Sequence, residues 1–258
     1  MSSTPNCSFV DIHSHVLYDL DDGARDAEQS LAMLEMAASS GTTDIVGTPH
    51  SDHKYPFQPE LIAERVVELN AALGGRIRVH HGCDFHLSFE NIQDCLANPN
   101  KYTINHLRFL LVEFSDIQVP ATMGEVFNRM ADLDITPVIT HPERNPLLRQ
   151  HFDQMARWVR AGCLIQVTAQ SFLNRFGKAA RQAADELMER RMVHFVASDA
   201  HDTEDRTPRL DEAFVYVVDR YGAERAQALF SDHPRAAVTG RYLEVEEPTA
   251  AKKKHWFW

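Results

Sequence analysis

Short apolar runs recur along the chain, each followed by a longer stretch whose apolar positions repeat at helical spacing. FVDIHSH (9–15) leads into a predicted helix from Ala27 to Ser40, with Leu31, Leu34 and Ala38 on one face and Gly41 as its stop. TDIVGTPH (43–50) is the next strand and Pro59 to Leu73 the next helix, closed by Gly74 and Gly75. RIRVHHGCD (76–84), FLLVEF (109–114), TPVITH (136–141), LIQVTA (164–169) and VHFVASDAH (193–201) read as five more strands. Amphipathic helices over His151–Ala161 and Lys178–Arg191 lie among them. Repeated βα units predict a parallel sheet with helices packed outside it. Seven strands without a Pro/Gly/Ser-rich linker predict one α/β domain, a closed or nearly closed barrel. That domain is expected over residues 1–247. The remainder, 248–258, ends in AKKKHWFW and reads as a disordered basic-aromatic tail.

The strands end in polar residues. In a βα barrel all carboxyl ends meet on one face, where the active site lies. Strand one ends in His13-Ser14-His15, strand two in Thr48-Pro49-His50 and strand three in Cys83-Asp84. Glu113, His141 and Asp199-Ala200-His201 follow on later strands, and LIQVTA offers only Gln166 and Thr168. Residues i and i+2 share a strand face, so His13 converges with His15 and Asp199 with His201. Two such pairs from opposite ends of the chain meet only if the barrel closes. Burying so many carboxylates requires compensating cations. Imidazole and carboxylate ligands without thiolate favour Mn, Fe, Zn or Co.

Composition narrows the class. A hydrophobic share of 44% suits a globular domain, and no run is long enough to span a membrane. The N-terminal segment lacks the pattern of a secretory signal, so a cytoplasmic location is expected. With 37 acidic and 26 basic residues the formal charge is −11, which argues against nucleic acid as a partner. Cys7, Cys83, Cys95 and Cys163 have no CxxC spacing and read as reduced and structural. Cys83, beside Asp84, is expected to face away from the site.

The motifs DIHSH, DDGARD, TPH, HPERN and ASDAH, in this order, resemble the PHP (polymerase and histidinol phosphatase) superfamily, and within it the CpsB-type bacterial protein-tyrosine phosphatases of capsule and exopolysaccharide synthesis. The likeness spans about Phe9 to Gly240. It implies a distorted (β/α)7 TIM-like barrel holding three divalent ions, usually manganese. Carried over by position, His13, His15, Asp84 and Asp199 would hold the first ion. Asp84, Glu113 and His141 would hold the second, and Asp22, His50 and His201 the third. Arg144 and Arg206 match arginines that grip phosphate. Asp84 stands where the family usually has a bridging Glu. Ser51-Asp52-His53-Lys54-Tyr55 replaces the usual continuation after TPH, with His53 and His86 as further rim candidates.

The resemblance implies phosphomonoester hydrolysis. Three divalent ions with Arg144 and Arg206 outweigh four carboxylates and a bridging hydroxide, leaving a positive pocket for a phosphate dianion. Hydroxide held between two ions would attack phosphorus, and a tyrosine leaving group, pKa ≈ 10, needs little protonation. His201 and a metal-bound water are the candidate acids. A phosphocysteine route needs Arg at the sixth position after Cys; the four cysteines have His13, Phe89, Lys101 and Ala169 there. The implied substrate is a phosphotyrosine protein, the Tyr-rich tail of a membrane tyrosine kinase. The alternatives are a small-molecule PHP phosphatase acting on a compound such as histidinol phosphate, an amidohydrolase, or a non-catalytic metal-binding barrel.

Overall fold

The computed structural model describes residues 8–249. Its first unit is β1 (Phe9–Ser14), α1 (Ala27–Ser39), β2 (Thr42–Gly47) and α2 (Pro59–Leu73). Asp26 caps α1, its Oδ1 accepting from Gln29 N at 2.9 Å. Proline opens α2, and Gly74 closes it in the left-handed conformation, φ 58°. There follow β3 (Arg78–His81), β4 (Asp84–His86), α3 (Phe89–Ala97), β5 (Phe109–Glu113), α4 (Met123–Ala131), β6 (Thr136–Thr140) and α5 (Phe152–Arg160). The chain finishes with β7 (Leu164–Thr168), α6 (Ala169–Phe172), α7 (Gly177–Glu189), β8 (Phe195–Ala197), α8 (Asp211–Tyr221), α9 (Ala223–Gln227) and α10 (His233–Thr239).

All strand pairs are parallel, in the orders β1-β2-β3 and β4-β5-β6-β7-β8. The expected third strand is therefore two, broken at Gly82-Cys83, and Asp84 opens a strand where it was expected to close one. A Cβ on Gly82 would lie 2.8 Å from Val46, so the chain presses against β2 at the break. Gly82 N donates to Gly47 O at 2.9 Å and Asp84 N to Pro49 O at 3.0 Å, carrying the contact across it. β3 and β4 thus form one kinked stave of a seven-stave barrel. The ring closes at the other seam, where Asp199 N donates to His13 O and His15 N to Ala200 O, both at 2.8 Å.

Packing explains which side chains reach the interior. Leu110, Val112, Ile139, Ile165, Val167 and Val196 pack outward with the helices. Val10, Ile12, Val46, Phe109, Leu111, Val138, Leu164 and Phe195 fill the lower barrel, with Ala237 and Val238 of α10 beneath. Polar residues then take over above this layer. No helix among the described residues is long and apolar enough to cross a membrane. Of the expected tail, Pro248 is buried and Thr249 N donates to Arg190 O at 2.9 Å; the rest lies outside the described residues.

Candidate metal centre and active site

β1 delivers two imidazoles by breaking its own alternation. Phe9 packs outward on Phe214 and Phe230, while Val10 and Ile12 point inward. Strict period two would turn His13 out, but the register with β2 shifts between Asp11 and Ser14 and brings it in. Asp11, fully buried, braces the irregularity: its Oδ1 accepts from Ser198 N at 3.0 Å across the seam. His141 and Asp199, just past β6 and β8, have φ of 32° and 51°. Non-glycine residues pay conformational strain there, a feature of sites in which side-chain aim matters more than backbone comfort. Asp199 and His201 thus converge through a left-handed turn beyond β8 and not by simple strand alternation.

All eleven residues expected at the site come to the carboxyl-end face. His13 Nε2 lies 3.6 Å from Asp84 Oδ2 and 3.5 Å from Asp199 Oδ1, and His15 Nε2 lies 3.3 Å from Asp199 Oδ1. Asp22 Oδ1 is 3.4 Å from His50 Nε2 and 3.3 Å from His201 Nε2. The expected second set is more open. Glu113 is 3.7 Å from His141, but Glu113 and Asp84 gather with His50, whereas His141 gathers with His13 and Asp199. Arg144 and Arg206 both donate to Asp199 Oδ2, the latter at 2.6 Å.

These atoms fit cations. Ligand atoms about 2.1 Å from a shared ion stand roughly 3.0–3.4 Å apart, close to the separations above. His13 Nε2, His15 Nε2 and Asp84 Oδ2 are buried with no hydrogen-bond partner among the described residues, a costly arrangement without a shared cation. The other nitrogens are committed to orienting bonds. His15 Nδ1 donates to Asp21 Oδ2 at 2.6 Å, His13 Nδ1 to Gln166 Oε1 at 3.0 Å and His201 Nδ1 to Asp199 O at 3.0 Å. Each leaves Nε2 as the free lone pair, as in carboxylate–histidine–metal chains.

The titration behaviour reports a strongly negative interior. Burial alone would lower the His50 pKa, but hydrogen bonding to Asp22 and Asp84 pushes it up to about 12. Burial and the Asp84 charge push Glu113 up to about 8. His141 goes the other way, held down to about 3 by burial and Arg144, which keeps its lone pair available. Cations compete with these protons for the same lone pairs.

Two residues outside the expected ligand set orient it. Asp21, the neighbour of Asp22, holds His15 and also accepts from His50 N at 3.1 Å. Gln166, the non-ligand polar residue of its strand, accepts from His13 Nδ1 at 3.0 Å. Gly23 brings Asp21 and Asp22 into place, since a Cβ there would stand 2.1 Å from His15 O. Cys83 faces away into the apolar core, as expected. His53 is exposed, whereas His86 lines a cavity of about 370 Å³ with Glu113, Ile117, His141 and Arg144. Aromatic rings flank this mouth: Tyr55 stacks over His50, centroids 6.0 Å apart, and Phe176 lies 4.3 Å from the Arg144 guanidinium.

Residues 9–239 match the family described as capsular polysaccharide synthesis, CpsB/CapC. CapC of Staphylococcus aureus is 30% identical over 255 residues, covering 96% of this chain and 98% of that protein. The tyrosine-protein phosphatase CpsB of Streptococcus pneumoniae is 30% identical over 244 residues, covering 91% and 100%. Among solved structures, one described with YwqE of Bacillus subtilis and CpsB of S. pneumoniae as unique metal-dependent tyrosine phosphatases superposes with a TM-score of 0.88. It is 28% identical and covers 95% of this chain and all of that one.

Proposed function

Because the chain belongs to the CpsB/CapC family, we propose that it is a metal-dependent protein-tyrosine phosphatase. The observation that carries this reading is the set of buried, unpartnered imidazole and carboxylate atoms beside two guanidiniums. His13, His15, Asp84 and Asp199 would hold one ion, Asp84, Glu113 and His141 a second, and Asp22, His50 and His201 a third, with manganese the expected metal. His50 faces Asp84 and Glu113 through Nδ1, at 3.3 and 3.6 Å, and is suited to sit between the second and third sets. Divalent ions there supply Lewis-acid charge and lower the pKa of water toward neutrality.

The chain's own groups do the rest. Arg144 and Arg206 orient the phosphate through N–H groups beyond those on Asp199; Arg206 Nε is buried with no partner among the described residues. Tyr55 and Phe176 offer apolar faces to an aryl leaving group at the mouth. His201 has Nδ1 on Asp199 O and Nε2 toward Asp22, leaving no spare N–H, so it is assigned to the ligand set and not to proton donation. The substrate we assign is a phosphotyrosine protein, the Tyr-rich tail of a membrane tyrosine kinase in capsule synthesis, dephosphorylated in the cytoplasm.

Phosphate release from phosphotyrosine peptide, phosphoserine peptide and histidinol phosphate, with Mn²⁺ and with EDTA, tests the assignment. Mn²⁺-dependent preference for phosphotyrosine is expected. Preference for histidinol phosphate would reassign the substrate, and activity unaffected by EDTA would remove the metal mechanism.

A further inference from the structure

β7 is the stave that brings no expected ligand to the catalytic face, and the short helix behind it takes a different part. β7 lies between β6 and β8 in the sheet, so α6, which follows it directly, stands between the loops that carry Arg144 and Arg206. All four residues of α6 are buried. Its polar side chains are directed sideways, one to each neighbouring loop.

Toward β6, Ser171 Oγ donates to Glu143 Oε1 at 2.6 Å, and Thr168 N donates to the same oxygen at 3.0 Å. Glu143 is fully buried and immediately precedes Arg144. A carboxylate is costly in such a place without donors, and here both donors come from the start of α6 and the residue before it. Two further struts hold the Arg144 loop: Arg149 Nη1 donates to Arg144 O at 2.8 Å, and Asn145 Nδ2 to Phe114 O at 3.2 Å.

Toward β8, Gln170 Nε2 donates to Asp205 O at 2.9 Å. The turn that carries Arg206 is otherwise bonded to itself. Asp202 Oδ1 accepts from Glu204 N, Asp205 N and Arg206 N, and His201 N donates to Arg206 O at 2.8 Å. Among the described residues, Gln170 is the only hydrogen-bond partner of 202–207 from outside 199–207. Asp199 holds one end of each guanidinium, since both donate to its Oδ2, but the backbone from which each arginine springs is set from behind. A misplacement of about 1 Å in such a clamp costs on the order of a hundredfold in rate.

We infer that Gln170 and Ser171 are positioning residues, and that α6 is a spacer fixing the separation of Arg144 and Arg206 and so the grip on the phosphate group. This rests on the reading of those arginines as the phosphate clamp. The braces are unequal: the Arg144 loop has Asn145 and Arg149 besides Ser171, whereas the Arg206 turn has Gln170 alone, so Gln170 has the larger effect.

The test is a double-mutant cycle on Mn²⁺-loaded protein with Gln170→Ala, Arg206→Ala and the pair. It is read by steady-state hydrolysis of phosphotyrosine peptide and by competitive inhibition with inorganic phosphate. Gln170→Ala should raise KM and the phosphate inhibition constant about threefold to tenfold, the worth of one hydrogen bond, with kcat and the Mn²⁺ requirement little changed. In the Arg206→Ala background the same substitution should change neither constant, because nothing is left for it to aim. Ser171→Ala deletes only a hydroxyl and should raise both constants about twofold, an effect lost in an Arg144→Ala background; it answers the same question should a melting curve show Gln170→Ala to be unfolded. Equal losses with and without the arginine, or constants unchanged by either α6 variant, would overturn the inference and leave the clamp in place. An Arg206→Ala variant with wild-type KM and phosphate inhibition would remove the clamp itself, and the inference with it.

Discussion

Replacing Asp21 with Asn asks whether the candidate centre is held from behind as well as from within. Asp21 Oδ2 accepts from His15 Nδ1 at 2.6 Å and His50 N at 3.1 Å, while Oδ1 accepts from Gly23 N at 2.9 Å. Asparagine has the same shape but one acceptor oxygen. Turned toward His15, it aims its NH₂ at the Gly23 N–H; turned the other way, it opposes the His15 and His50 donors. At least one buried donor loses its partner, and the bond to His15 loses its charge assistance. That costs about 1.5–3 kcal/mol, or roughly tenfold to a hundredfold in an equilibrium, the usual range for outer partners of metal-binding histidines. The assay is a Mn²⁺ titration of chelator-stripped protein, followed by phosphotyrosine peptide hydrolysis and a melting curve. Half-saturating Mn²⁺ should rise by that factor, with kcat at saturating metal much less affected. An unchanged metal requirement with only a lower Tm would make Asp21 a loop brace and refute the orienting role.

Three further outcomes are expected. Gly23→Ala should cut activity by at least tenfold, because its Cβ would collide with His15; full activity in steady-state kinetics would show that the loop can shift freely. His13→Ala should lower kcat by orders of magnitude, whereas Arg206→Ala should mainly raise KM; identical kinetic profiles for the two variants would contradict the division between ion holding and phosphate binding. At the far end, hydrogen bonding to His80 at 3.0 Å holds the Asp44 pKa down to about 2, below its unfolded value near 3.8. A depressed carboxyl contributes stability above the unfolded pKa and loses it as pH falls through the folded one. Asp44→Asn should therefore cost up to about 2 kcal/mol in urea unfolding at pH 7, with the deficit closing between about pH 4 and pH 2; a deficit independent of pH would show that the carboxylate's charge is not its source.

Most staves were legible because the strands carry short apolar runs such as Phe109–Val112, and the helices named from the sequence show an apolar stripe; Pro59–Leu73 is found with its predicted bounds. The gathering of His13, His15, Asp84 and Asp199 was legible for a related reason, since strands that are apolar and then turn charged at the carboxyl end direct those side chains to one face. What escaped was local geometry. Nothing in DIHSH announces that the strand must slip register for His13 to face inward. RIRVHHGCD reads as one run, and its break at Gly82 follows from contact with Val46, which only the folded barrel creates. Asp21 and Asp22 are chemically identical in sequence, so which one faces His50 and His201 and which one braces His15 depends on how Gly23 folds the loop back.

The seam between the first and last staves has a consequence for biosynthesis. A growing polypeptide can pair β1 with β2 while still attached to the ribosome, but the partners of His13 across the seam are among the last of the barrel to be made. Until Asp199 emerges, His13 and His15 lack the carboxylate that faces them both, so the four-residue cluster can assemble only when the ring completes.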